Sequence, residues 1–160
     1  MDCLIRPITL EDTHFLWEML YEAIYVAEGV KPPAGDVLLQ PDIRRYLQDW
    51  GQPHDSGFVA LDPVTSNRIG AVWLRLLIGD QKGYGYVDEA TPELTIAVVP
   101  ECRGKGIGTR LKLAGIDLAL SHGGKELHTF NDELNGPMRA INAKLGFQPE
   151  TGWWMYRKNP

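Results

Sequence analysis

Residues 100–122 read Pro-Glu-Cys-Arg-Gly-Lys-Gly-Ile-Gly-Thr-Arg-Leu-Lys-Leu-Ala-Gly-Ile-Asp-Leu-Ala-Leu-Ser-His. Ile107, Leu111, Ala114 and Leu118 recur at helical spacing, so a helix begins inside this stretch and Gly123-Gly124 ends it. The glycines Gly104, Gly106 and Gly108 crowd its start. The first N–H groups of a helix lack internal partners, and its dipole draws anions to that end. Glycines let the backbone approach a ligand closely and adopt conformations closed to other residues. With Arg103 and Lys105 alongside, the segment reads as a cradle for a phosphorylated ligand.

Spacing excludes two common cradles. The nucleotide P-loop needs Gly-Lys-Ser/Thr after a four-residue gap, which is missing here. The dinucleotide fingerprint needs a third glycine where Thr109 stands, and no parallel βαβαβ series surrounds the motif.

Immediately upstream, Glu93 to Val99 is nearly continuous in apolar content, a strand expected to be buried on both faces and stopped by Pro100. Residues 58–61 and 69–78 flank the turn-rich segment 62–67 and form a hairpin. A Gly-rich connection spans 79–92. Residues 3–9 read as an edge strand, with Thr9 or Asp12 capping a helix whose apolar residues run from Leu16 to Ala27. Pro41 and Asp42 start a short helix that is expected to run to about Trp50. Downstream come a strand at 126–130, a helix at 135–145 with Met138, Ile141 and Leu145 inward, and final strands in 147–157.

The chain has 160 residues, 44% apolar and 23% charged, which is a length and composition for one globular domain over 1–160. No apolar run approaches the roughly 20 residues needed to cross a bilayer, and the N-terminus does not read as a secretory signal. The two cysteines, Cys3 and Cys102, have no metal-ligand spacing, and neither do the four histidines; a reducing cytoplasm is expected and no metal. The net charge of −5 disfavours nucleic acid as a partner. Residues 1–100 carry 7 Lys/Arg against 15 Asp/Glu, whereas 101–160 carry 9 against 6, which suits an anionic ligand toward the C-terminal part.

Arg103, Gly106 and Gly108 match the pattern [Q/R]-x-x-G-x-[G/A], and the chain resembles the GCN5-related N-acetyltransferase superfamily. Ile5-Arg6-Pro7 with Glu11-Asp12 is similar to that superfamily's opening. PELTIAVVPECRGKGIGTRL resembles its central strand, loop and helix, and Asn135, Met138, Asn142 and Gly146-Phe147 resemble its closing helix and strand.

The resemblance implies a mixed α/β fold. Its twisted, mostly antiparallel sheet would have six to seven strands and about four flanking helices, with a splay between the strands at 93–99 and 126–130. It implies acetyl-CoA as acyl donor and an amine of a small molecule or peptide as acceptor. The pantetheine arm would pair with Ile96, Ala97 and Val98. Arg103, Gly104, Lys105, Gly106, Ile107, Gly108 and Thr109 would hold the diphosphate, with Asn135 and Met138 touching the arm. Glu93 would take the amine proton, with Asp88 and Glu89 as alternatives. Asn142 stands where many relatives carry a Tyr proton donor. An amide cannot give up a proton, so Asn142 would only orient or stabilise the thiolate. An acceptor pocket is expected around Tyr21, Tyr25, Glu28, Trp50, Tyr84, Tyr86, Asp88 and Glu89, a mixture suited to a cationic amine. Relatives often dimerise, so a homodimer is within the expectation, and Trp153 or Trp154 would pack in the core. The competing reading is a non-catalytic acyl-CoA-binding module.

Overall fold

A computed structural model describes residues 1–83, 89–123, 126–130, 134–150 and 155–158. Asp88, Tyr84, Tyr86, Asn131, Gly124, Trp153 and Trp154 lie outside the described residues.

Among the described residues seven strands form one sheet: β1 (Leu4–Pro7), β2 (Ser56–Leu61), β3 (Arg68–Arg75), β4 (Glu93–Val98), β5 (Leu127–Phe130), β6 (Gln148–Glu150) and β7 (Met155–Lys158). Their order is β1-β2-β3-β4-β5-β7-β6. Every pairing is antiparallel except β4 with β5. The helices are α1 (Thr13–Glu22), the single turn α2 (Pro41–Arg44), α3 (Ile107–Ser121) and α4 (Gly136–Lys144). The sheet and its helices match the expected architecture.

Side chains alternate across the central strands, as the pleat requires. Val72, Leu74, Leu94, Ile96 and Val98 pack with Ile107, Leu111 and Ile116 of α3 on one face. Ala71, Trp73 and Ala97 pack with Leu16, Met19 and Leu20 of α1 on the other. The expectation that β4 is buried on both faces holds.

Three helical readings shift, the first being the helix from Pro41, which is a single turn ending at Arg44 and continues as turns. On α3 the buried positions are Ile107, Leu111, Lys112, Gly115, Ile116 and Ala119, while Ala114 and Leu118 are only half-buried. The face is turned because Gly115 lies against β3 and β4: a Cβ there would sit 3.0 Å from both Val72 and Leu94 side chains. On the first helix, α1 ends at Glu22 instead of running toward Ala27. Ala23 and Ile24 leave the helix to line a cleft, and the Tyr21 hydroxyl donates to Pro33 O at 2.6 Å, turning the following segment back over α1.

The entry to α1 is fixed by one carboxylate. Asp12 is fully buried and accepts from Arg6 at 2.8 Å through both oxygens, from Arg68 Nε at 2.7 Å and from Thr9 N–H at 2.8 Å. These partners, Arg6 first, hold its carboxyl well below the usual carboxylate range. Through them β1, β3 and α1 share one anchor. Asp12→Ala would leave two guanidinium groups and a helix entry without their acceptor. It is expected to cost about 3 kcal/mol in urea unfolding at pH 7. The part of this loss that depends on ionisation fades as acid protonates Asp12 in the wild type, because a lowered carboxyl pKa stabilises above the ordinary range and is lost below it.

Candidate functional site

The sheet opens beside β4. Strands β4 and β5 share a single register position, Glu93 with His128, and diverge from there. Backbone groups along β4 point alternately to its two neighbours. The Val99 N–H goes to Ile69 O beside β3 at 3.0 Å, and Leu94 O accepts from Thr129 Oγ1 at 3.4 Å on the β5 side. The N–H groups of Ile96 and Val98 therefore point toward β5, into the opening and not onto a strand. Ala97 points the other way, to β3, and meets the opening only along its edge.

The opening is continuous with a cleft of about 730 Å³. Its walls include Tyr21 and Ile24 on one side, Ile96, Ala97 and Val98 on the floor, and Asn135, Met138 and Ile141 of α4 opposite. It ends at the start of α3, where Arg103, Gly104, Gly106, Gly108 and Thr109 line it. Gly104 and Gly106 adopt φ of 72° and 85°, the left-handed region that disfavours side chains. No atom lies within 4 Å of where their Cβ atoms would be. Gly106 is the N-cap of α3 and brings no side chain to the helix's first N–H groups, so these face the cleft. The mouth is thus a concave set of amide donors with room for an anion. Ile107 is buried beneath it and serves as core.

The two cations of the loop are already engaged. Arg103 donates through Nε to Val98 O at 3.0 Å and through its guanidinium to Glu22 at 2.7 Å. It ties the loop to the end of β4 and to α1. Lys105 Nζ donates to Glu101 O at 2.8 Å and is exposed. The sequence shows their charge; the structure shows that both also hold the loop's shape.

A second cleft of about 280 Å³ opens on the other side of Ile96, Asn135 and Met138, which line both. Tyr25, Ile43, Tyr46, Glu93 and Thr129 are among its walls. Glu93 is 4% exposed, and its Oε1 accepts from the Tyr46 hydroxyl at 3.2 Å. Gly83 lies so close that a Cβ there would collide with the Glu93 carboxylate and the Tyr46 hydroxyl. Of the pocket residues expected from sequence, Tyr25 lines both clefts and Tyr21 the larger one. Trp50 stands by the buried Arg75, 5.8 Å from its guanidinium, and Glu28 and Glu89 are exposed and line neither cleft. Tyr46 and Ile43 are the residues sequence reading missed. Ile43 lies in the four-residue helix α2 and Tyr46 just past it, a stretch too short to carry a periodic signal.

Asn135 caps α4, its Oδ1 accepting from Met138 N–H at 3.2 Å, so the side chain that touches both clefts is also fixed by the helix start. Asn142 does not reach either cleft. It is fully buried, and its Oδ1 accepts from Lys112 Nζ. An orienting contact from Asn142 to a thiolate in the cleft is therefore replaced by a contact behind the wall. Lys112 is itself fully buried, and burial alone pushes its amine down from 10.5 to about 7. Among the described residues no cluster of His, Cys, Asp and Glu could hold a metal. No helix among them is long and apolar enough to cross a membrane.

Residues 17–147 match the family model described as Acetyltransferase (GNAT) family. A mycothiol acetyltransferase of Arthrobacter sp. (strain FB24) is 30% identical over 118 residues, 72% of this chain and 34% of that protein. A second, from Thermobispora bispora, is 28% identical over 127 residues, 79% of this chain and 41% of the relative. The chain therefore spans less than half the length of the curated relatives it matches. An N-acetyltransferase from Staphylococcus aureus Mu50 superposes with a TM-score of 0.69 at 19% identity, covering 99% of each chain. The PaiA N-acetyltransferase of Thermoplasma acidophilum, solved in complex with coenzyme A, superposes at 0.68 with 18% identity over the whole of both chains. At such identities the likeness establishes the fold.

The buried amine makes stability depend on pH with a defined sign. Folded protein holds fewer protons than unfolded protein between about 7 and 10.5, so the Lys112 contribution becomes less unfavourable as pH rises through that window. Urea unfolding of Lys112→Met is expected to show greater stability than wild type at pH 6–7. The difference should shrink toward pH 10.

Proposed function

The chain belongs to the GNAT acetyltransferase family, and on that footing we propose that it moves an acetyl group directly from acetyl-CoA to a primary amine of a small molecule or peptide. The observation that supports this most is the meeting of two clefts at Ile96, Asn135 and Met138. One ends in the amide mouth of α3 and the other contains the Glu93 carboxylate. The first suits a long ligand with a diphosphate, the second a compact amine.

The fit of acetyl-CoA rests on the open space at Gly104 and Gly106 and on the β4 edge exposed by the splay. When bound, acetyl-CoA supplies a thioester whose acyl carbon is open to a nucleophile. In this reading the N–H groups from Gly106 to Thr109 hold the diphosphate. The Ile96 and Val98 N–H groups, on the edge that Ala97 continues, hold the arm as an added strand would. The Val98 N–H also serves the thioester oxygen, where a donor strengthens as negative charge develops. Asn135 and Met138 close the arm's other side. Arg103 and Lys105 act mainly by holding the loop.

Glu93 takes the proton that the acceptor amine must lose. The Tyr46 hydroxyl aims its carboxylate. An alkylammonium has a pKa near 10, so most of the acceptor is protonated at pH 7 and a fixed base is needed. A carboxylate between Tyr25 and Tyr46 favours a cationic amine, and the relatives' name favours a small molecule over a peptide. The free thiols Cys3 and Cys102 suit the cytoplasm, where we place the reaction.

Release of CoA over a panel of primary amines tests the proposal. Wild type should turn over at least one amine. Glu93→Gln should lower kcat by about 100-fold at pH 7, with acetyl-CoA affinity kept and the deficit narrowing toward pH 10. Acetyl-CoA binding with no release on any amine would favour the passive acyl-CoA-binding module instead. Gly83→Ala pushes on the Glu93 carboxylate without touching the larger cleft. It should lower turnover by about tenfold and leave acetyl-CoA affinity unchanged.

A further inference from the structure

Lys112 is the one charged residue on the buried face of α3, and neither cleft includes it. Its Nζ donates to Asn142 Oδ1, lies 3.5 Å from Met138 Sδ and stands 4.8 Å from the centre of the Phe147 ring. All three partners are neutral. The charged groups on the surrounding elements are accounted for elsewhere. On α4, Arg139 and Lys144 are exposed, as are Arg110 and Asp117 on α3 itself. On β3, Arg68 pairs with Asp12 and Arg75 with Asp55. On β4, Glu93 faces Tyr46 in the smaller cleft. Among the described residues no carboxylate forms an ion pair with Lys112.

An amine held in the core by neutral partners alone costs more than a leucine would. What it gains is position. Met138 lines both clefts where they meet, and the Lys112 amine, itself outside both, lies 3.5 Å from its sulfur. A charge in such a wall is poorly screened and acts across one side chain's thickness.

We propose that Lys112 is a positioning residue for acyl transfer, presenting positive potential through Met138 and Asn142 to the sulfur that departs at the junction of the clefts. The inference rests on the acetyl-transfer reading. In that step the amine nitrogen forms a bond to the acyl carbon, the C–S bond breaks, and sulfur leaves with the electron pair. The ammonium proton goes to Glu93, the second N–H proton leaves to solvent as the amide forms, and Lys112 keeps its own. The coupling is reciprocal: a thiolate at the junction favours the ammonium, and the ammonium favours the thiolate.

The test uses CoA itself, bound to the whole protein, and needs no turnover. Thiolate absorbance of bound CoA is followed from pH 6 to 10, with the desulfo analogue as blank, in wild type and in Lys112→Met. A free thiol titrates near 8.5. The thiol in the wild-type complex is expected to titrate about one unit below that in the variant complex. Equal values in two complexes that both hold CoA would overturn this inference and leave acetyl transfer standing. Failure of wild type to hold CoA would overturn both. Should Lys112→Met not fold, side-chain NMR of Lys112 in wild type gives the same answer. Its proton affinity should rise more with CoA than with the desulfo analogue, and equal rises would overturn the proposal.

Discussion

Everything that could be chemical in this protein depends on β4 and β5 parting after a single shared position. Two parallel strands that ran on together would satisfy each other's amides and leave a closed sheet. Here Glu93 and His128 meet, and then Ile96 and Val98 keep their outward N–H groups for something that is not a strand. Helix α3 starts next to that gap because Pro100 stops β4 and the loop from Glu101 to Gly106 turns the chain over the sheet. One irregularity in pairing therefore creates both the cleft and the amide mouth at its end.

The molecule handles its buried charges in two ways. Asp12 and Asp55 are saturated by guanidinium groups, and each joins elements distant in sequence. These are structural anchors: removing one partner strands the other. Glu93 accepts from a tyrosine hydroxyl, and Lys112 meets an amide, a thioether and a ring. Glu93 lines the smaller cleft, and Lys112 touches Met138, which lines both.

Much of this was legible in the sequence. The glycine-rich turn before an apolar periodic run marks the start of α3, and the continuous apolar strand before it marks β4, because both signals are local. Asn135 and Met138 follow from the resemblance of residues 135–147 to the superfamily's closing helix and strand. What was not legible depends on three-dimensional approach. Gly115 rotates the buried face of α3 by fitting against Val72 and Leu94, and nothing in the local periodicity announces that. The early end of α1 is hidden because Ala23 and Ile24 keep a helical spacing while lining a cleft. Lys112 sits inside an apolar run where a long cation reads as solvent-facing; only contact with α4 shows that it turns inward. Asn142 reads as a cleft residue until that lysine is seen to occupy its oxygen.

The central idea is that two sets of main-chain donors, far apart along the cleft, serve one ligand. Amide NMR of the full chain during titration with acetyl-CoA measures both at once. The account requires the signals of Gly106 to Thr109 and those of Ile96 and Val98 to shift together along one binding curve. Movement at the helix mouth alone, with the β4 amides unmoved at saturation, would contradict it.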